Sequence, residues 1–397
     1  MEPKRIERKE HSVSRDNFSA PARKVLERLN SHGYLGYLAG GAVRDILLNR
    51  EPKDFDVATD ARPNQIRKVF RNSRMIGRRF RLAHIYFHDE IIECSTFRRQ
   101  VDPRKEKPYH GKAFKEKEGM VVRDNVYGTP EEDALRRDFT VNALFYDISD
   151  FSVIDYVDGM RDLDARIIRC IGDPPVRYTE DPVRMIRALR FASKLNFTIE
   201  EATYEGIKEK RKMMLHAAPA RIYEEIQKLF FCGNAVKLFD YLENTGLLEV
   251  VFPEFSRFIE DNANEHDWTV RIMRQFDKWT NAGAHIAPPV LFALMFGPYY
   301  ESLAAKIGGG DIRQKMRDVA AMHLGGMRER IVVPKTVKES VGYIMADQSK
   351  LTGSRKNRRK LPRQRGFGEA FLYFKLRSRH TGEHGEDVEY WEQCLQK

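Results

Sequence analysis

Cysteine is scarce in this 397-residue chain: Cys94, Cys170, Cys232 and Cys394 lie far apart and form no CxxC spacing with histidine partners. That argues against a structural zinc site and against a disulfide framework, and leaves free thiols in a reducing compartment. Long apolar runs are missing too. Nothing approaches the roughly 18 uninterrupted apolar residues of a membrane helix, and the opening MEPKRIERKEHSVSRD lacks the apolar core of a signal peptide. A cytoplasmic protein with no membrane partner is expected. No internal repeat is found.

Positive charge, by contrast, is plentiful. Lys and Arg number 69 against 58 Asp and Glu, a formal charge of +11, which favours a polyanionic partner without naming it. The length allows two or three domains and a sizeable core.

Between Tyr34 and Phe97 short β-like runs alternate with helical patterns. GYLAGGAVRDILLNR reads as strand, turn and helix, DFDVAT as a strand, NQIRKVFRN as a helix, and IYFHDEIIECSTF as a hairpin around His88 and Asp89. From Val101 to Arg123 charged residues, Pro and Gly crowd a basic loop with little periodicity. TVNALFYDI and SVIDYVDG form a further strand pair, and after Asp173-Pro174-Pro175 helical periodicity takes over. The expected fold class is α+β, with a mixed head followed by a helical remainder. The boundaries read as an N-terminal extension over 1–30, a head over 31–172, a helical neck over 173–255 and a helical body and tail over 256–397.

The strongest local signal is GGAVRD at Gly40 to Asp45, followed by Asp54 and Asp56 in KDFDVAT. On a strand, residues two apart share a face, so the two carboxylates project together while Phe55 and Val57 point away. Such a pair can bridge two hard cations about 3.5–4 Å apart, the requirement of two-metal phosphoryl transfer. Gly40 and Gly41 sit where a strand turns into a helix and let the backbone approach a triphosphate, with Arg44 one turn in. Glu93, in EIIECSTF, is a third acid on a neighbouring strand, where a metal nearby would explain it. Arg136, Arg137 and Asp138 precede a β-like run, and Asp138 can hold a ribose hydroxyl, orient an arginine or assist a metal site. In YTEDPVRMIRALRF, Asp181 can cap a helix with Pro182 at its first position, which puts Arg184 and Arg187 one turn apart on one face. His266-Asp267 is an isolated dipeptide without further metal-ligand context.

Taken together, GGAVRDILLNREPKDFDVAT, RRDFTVNALFYD and EDPVRMIRALRFASKL closely resemble the signature blocks of the class II nucleotidyltransferases, the group that holds bacterial poly(A) polymerases and CCA-adding enzymes. The stretch from Met75 to Arg98, with its G-R-R-F-R-L block, resembles the poly(A) polymerase version. This resemblance implies a polymerase-β-like nucleotidyltransferase head followed by an all-helical neck, body and tail. It implies an enzyme that adds AMP from ATP to RNA 3′ ends without a template, using Mg²⁺ or Mn²⁺, with CCA addition to tRNA as the alternative and a catalytically inactive RNA-binding scaffold as the alternative of another class. By the same carry-over Asp54 and Asp56 are metal ligands, with Glu93 as a third acid. Asp138 is an active-site carboxylate. Gly40, Gly41, Arg44, Arg137, Asp138, Asp181, Arg184 and Arg187 hold the nucleotide.

Asp181 and Arg184 match the family pair that reads the incoming base. A carboxylate accepts from the adenine amino group while a guanidinium donates to the neighbouring ring nitrogen. Cytosine offers the same pattern, so the pair rejects G and U but does not separate A from C; the Arg78 to Arg81 block is the expected source of that choice. The basic run holding Arg355, Lys356, Arg358, Arg359 and Lys360 is the expected RNA hold. Protein partners are not legible.

Overall fold

The computed structural model describes residues 2–77, 82–100, 126–352 and 361–395, and the backbone of 116–117 and 120–121. The chain divides into two compact units: residues 1–188 with 196–210, and residues 189–195 with 211–397.

The first unit is built on an eight-stranded sheet. Its strands are β1 (Lys4–Ile6), β2 (Gly36–Ala39), β3 (Asp56–Thr59), β4 (Ser73–Ile76), β5 (Leu82–Tyr86) and β6 (Ile91–Thr96). After a short hairpin of β7 (Glu116–Lys117) and β8 (Met120–Val121) come β9 (Phe145–Asp147) and β10 (Ser152–Asp155). The order across the sheet is β1-β10-β9-β2-β3-β6-β5-β4. Neighbours run antiparallel except for β3 and β6, which are parallel and joined by a crossover through α3 (Pro63–Val69), β4 and β5. The hairpin expected around His88 and Asp89 is the β5–β6 pair.

Two sequence features fix the central strands. All four residues of β2 are buried, as a strand covered on both faces requires. Helix α1 (Ala20–Ser31) starts at Ser19, whose side chain accepts the Ala22 N–H. It lies so close to β2 that a Cβ on Gly36 would come within 3.1 Å of the Leu29 Cβ. Residues 1–30, read from sequence as an extension, thus contribute α1 and the edge strand β1 to this sheet.

Further along, the first unit holds α2 (Gly41–Leu47), α4 (Pro130–Leu135), α5 (Gly159–Asp164) and α6 (Pro174–Glu180). It also takes the first half of α7 (Val183–Leu195) and all of α8 (Glu201–Lys210). Strand pairing does not end at Asp173, as the sequence suggests, because β11 (Ile167–Ile168) pairs in parallel with β12 (Thr198–Ile199).

The second unit is helical among its described residues. It runs from α9 (Pro219–Leu229) through α13 (Ala263–Asn281), α14 (Pro288–Lys306) and α16 (Lys335–Ala346) to α18 (Phe367–Thr381) and α19 (Gly385–Leu395). α14 is apolar nearly all round and lies in the core, where Trp268 of α13 donates its indole N–H to the Leu294 carbonyl at 2.9 Å. No helix among the described residues is long and apolar enough to cross a membrane.

Candidate active site

At one end of the sheet β2 passes into α2 through Gly40, whose φ of 64° and ψ of −114° are open to glycine and not to L side chains. A Cβ there would also lie 2.6 Å from Arg137 Nη1 and 3.0 Å from the Asn142 carbonyl oxygen. The Gly40 N–H donates to the Leu144 carbonyl at 2.9 Å, which ties the turn to the approach of β9.

β3 begins beside this turn. Leu38 pairs with Val57, so one step further in the antiparallel ladder Ala39 faces Asp56. The sequence expectation that Asp54 and Asp56 share one strand is corrected here: Asp54 lies two residues ahead of β3. Beyond Ala39 the β2 strand turns away into α2, so on that side Asp54 has no ladder to join. Both aspartates are exposed, and Val57 between β2 and β6 is buried. In the parallel pairing Asp56 stands directly opposite Glu93.

Asp56 keeps contact with solvent, yet the protein packed around its carboxyl desolvates it in part and pushes it up to about 6; Glu93 and Asp54 add to the shift, and Arg137 opposes it. The Asp56 carboxylate thus lies in the field of two others, where a cation would relieve the repulsion. Among the described residues no group of three His, Cys, Asp or Glu side chains forms a ready-made cage for an ion. The donor set fits Mg²⁺ or Mn²⁺ that takes its remaining ligands from substrate phosphates and water. Glu93 has a further neighbour that sequence reasoning missed, His84, whose Nε2 lies 3.2 Å from Glu93 Oε1. Counting back from the hairpin turn, Tyr86 against Ile91 and then His84 against Glu93, would have found it.

Arg137 lies behind the glycine turn. It donates from Nη1 to the Asn142 carbonyl at 3.1 Å, reaches Asp133 Oδ2 from Nη2 at 3.1 Å, and packs over the Phe145 ring at 5.0 Å. Asp133 is buried and also holds Arg136 and the Arg98 N–H. Burial alone would raise the Asp133 carboxyl, but these partners hold it below the usual range.

The expectation for Arg44 changes in one respect. Its guanidinium is not an open arm but is buried, donating to Asp45 from Nε at 2.8 Å and to Asn142 Oδ1 from Nη1. A buried arginine needs such partners to offset its desolvation. Nη2 still lies near the turn, 3.7 Å from where a Gly41 Cβ would stand.

Asn142 also donates from Nδ2 to Asp138 Oδ1 at 3.3 Å, so this one side chain links Arg44 to Asp138. Asp138 accepts from both Nε and Nη2 of Arg187, the former at 2.8 Å. Burial would raise the Asp138 carboxyl, yet Arg187 and Asn142 hold it down at about 2. Of the roles open to Asp138, orienting an arginine is the one with a partner in place.

Asp181 lies between α6 and α7, its carbonyl accepting the Arg184 N–H at 3.1 Å. Arg184 donates to the Arg177 carbonyl at 3.2 Å, to Glu180 Oε2 at 3.3 Å and to the Arg136 carbonyl at 3.3 Å. Arg177, also missed, is buried and reaches Glu180 and the carbonyls of Arg136 and Arg137, so it fastens α6 to the Arg136–Asp138 segment. The structure therefore gathers Gly40, Asp54, Asp56, Glu93 and Arg137 at the sheet end, and joins Asp138, Arg184 and Arg187 to them through Asn142 and Arg177. The Arg78–Arg81 block and Arg355, Lys356, Arg358, Arg359 and Lys360 lie outside the described residues, as does most of the 101–123 loop.

Residues 36–169 match the family described as Poly A polymerase head domain, and residues 196–259 match one described as "Probable RNA and SrmB- binding site of polymerase A". The chain is 44% identical over 304 residues to "Poly(A) polymerase I" of Salmonella typhi, covering 76% of this chain and 65% of that relative. It is 36% identical over 230 residues to the "CCA-adding enzyme" of Lactobacillus gasseri, covering 58% of this chain and 54% of the relative. The matched region thus spans just under two thirds of the polymerase relative's length. Among solved structures, the Bacillus stearothermophilus CCA-adding enzyme in complex with CTP has the same fold, with a TM-score of 0.65, 22% identity, and coverage of 95% of this chain and 83% of that one.

Proposed function

We propose that the chain, whose residues 36–169 match the poly(A) polymerase head domain, is a nucleotidyltransferase that adds AMP from ATP to RNA 3′ ends without a template. The observation that carries this reading is the in-register pair Asp56 and Glu93, with Asp54 beside them, at the mouth of the Gly40 turn.

In the reaction the 3′-hydroxyl of RNA loses its proton to solvent as its oxygen forms a bond to the α-phosphorus of ATP, the bond from that phosphorus to the oxygen bridging the β-phosphate breaks, and pyrophosphate leaves. Asp54 and Asp56, with Glu93, would hold Mg²⁺ or Mn²⁺, which would supply positive charge to the phosphoryl transfer when bound. Gly40 and Gly41 let the triphosphate approach the backbone, while Arg44 and Arg137 hold positive charge behind that turn. Asp181 and Arg184 read the base, and the grip of Arg177 and Glu180 keeps Arg184 in place. Asp138 aims Arg187 at the same nucleotide.

Arg355, Lys356, Arg358, Arg359 and Lys360 contribute an electrostatic hold on the RNA backbone, so primer affinity falls steeply with salt. We divide the chain for these roles into extension, head, neck and body with tail at residues 30, 172 and 255. We place it in the cytoplasm, where its four free cysteines suit a reducing medium.

Poly(A) addition is preferred to CCA addition because the polymerase relative is similar over more of the chain. Purified protein incubated with an RNA primer, Mg²⁺ and each nucleoside triphosphate in turn tests this. Long ladders with ATP alone are expected. Extension confined to CCA on a truncated tRNA would overturn the reading, and no extension at all, with RNA still bound, would leave an RNA-binding scaffold.

A further inference from the structure

β4, β5 and β6 have two unlike faces. On one, Ala83, Ile85, Ile92 and Cys94 are fully buried. The other is open: Arg74 and Ile76 of β4, His84 and Tyr86 of β5, and Ile91 and Glu93 of β6 alternate with the buried set. Ile76, Tyr86 and Ile91 keep 37%, 40% and 48% of their surface exposed. The His84 and Tyr86 rings lie side by side with centroids 6.3 Å apart.

The register makes this face continuous with the candidate active site. Arg74 pairs with His84, His84 with Glu93, and Glu93 with Asp56, so one row of side chains crosses four adjacent strands and ends on the carboxylates. Sheet order gives the row a direction. β3 lies between β2 and β6. The nucleotide candidates Gly40, Arg44 and Arg137 stand on the β2 flank of Asp56, so the reacting RNA end has the β6 flank left to it.

We infer that the open face of β4, β5 and β6 is a track for the last nucleotides of a single-stranded RNA, with bases stacking on Tyr86 and His84 and a phosphate near Arg74. This rests on the RNA-extending reading given above. Single strands are bound in this manner, by aromatic platforms with a cation at the edge, and stacking of that kind tolerates any base sequence.

The test uses the full chain and a 5′-labelled oligo(A) primer, with affinity read by fluorescence anisotropy at fixed salt. Tyr86→Ala should weaken primer binding about five- to hundredfold, the range for loss of one stacking ring, while ATP affinity and melting temperature stay put. Tyr86→Phe, which keeps the ring, should recover the affinity that Tyr86→Ala loses. Arg74→Ala should flatten the slope of log Kd against log salt by about 0.7, one single-strand phosphate contact.

Should Tyr86→Ala melt early, a primer with 4-thiouridine at its 3′ end, photocrosslinked to the unaltered protein and mapped by peptide mass spectrometry, decides. Crosslinks to residues 73–76, 82–86 or 91–96 support the track; crosslinks confined to other segments overturn it. Unchanged primer affinity in a well-folded Tyr86→Ala protein also overturns it and leaves the face to a protein partner. A wild-type chain that neither binds nor extends RNA would instead sink the underlying reading.

Discussion

Arg44 donates its Nη1 hydrogen to Asn142 Oδ1, and so joins the helix after the glycine turn to a segment 98 residues further along. The contact is buried and charge-assisted, and Asn142 spends its amide hydrogen on Asp138. Asn142→Ala removes both bonds and leaves a buried guanidinium short of an acceptor. We expect a loss of about 1–3 kcal/mol in stability, read by urea denaturation, together with a fall in kcat. Unaltered kinetics would show that the link is structural only.

Gly40 is caught between backbone strain and a crowded neighbour. Gly40→Ala forces a side chain into a conformation reserved for glycine and into the Arg137 guanidinium. The expected cost is about 1–3 kcal/mol, with a rise in KM for ATP as Arg137 is pushed aside. A variant with wild-type melting temperature and KM would contradict the geometry.

The Asp56 carboxyl, raised to about 6, gives a pH signature. A group whose pKa is higher in the folded state than in the unfolded chain favours folding at low pH, and that contribution is lost as pH rises through about 6. Metal-free Asp56→Asn should therefore melt higher than wild type at pH 8, by about 1 kcal/mol after allowance for solvent contact, and the advantage should vanish near pH 4. The same variant should be inactive.

Chelation extends that argument. EDTA should abolish extension, and Mg²⁺ or Mn²⁺ should restore it. Added Mn²⁺ should raise the melting temperature of wild type at pH 8 and leave Asp56→Asn nearly unmoved, since the repulsion it relieves is already gone. Equal shifts in both proteins would place the ion elsewhere.

The Asp138 carboxyl depends on pH in the opposite sense to that of Asp56. With its carboxyl held at about 2, Asp138 stabilises the fold at all pH values above its ordinary 3.8, and the contribution drains away as pH falls through about 2. Asp138→Asn removes the charge that meets Arg187 in this half-buried pair and should cost about 1.5–3 kcal/mol at neutral pH, the range for a hydrogen bond to a charged group. A double variant that also replaces Arg187 with Met should recover part of the loss in equilibrium unfolding.

Local signals were the readable ones. The strand, glycine turn and helix of residues 36–47 follow from GYLAGG and an amphipathic run, and the hairpin at His88 and Asp89 from alternation on both sides of a polar pair. Asn142, Asp133 and Arg177 gave no such signal. Each is an ordinary polar residue until tertiary contacts bring Arg44, Arg137 or the Arg136 carbonyl to it. The start of β3 was misplaced by two residues: on its β2 side the ladder stops at Ala39, and nothing within KDFDVAT says so. Burial of Arg44 was hidden for the same reason, since its acceptor arrives from far along the chain.

The pairing of Lys4–Ile6 with Val153–Asp155 also sets a timetable. During synthesis β1 has no partner in the sheet until β10 has emerged, and the β11–β12 pair waits longer still, until Thr198 and Ile199 are out. Until β10 is out, β1 is open to whatever else can add a strand, including the β10 of a neighbouring chain. Deleting the first seven residues should therefore expose a sticky sheet margin, and such a truncation would betray itself by aggregation during expression before any defect in chemistry could be measured.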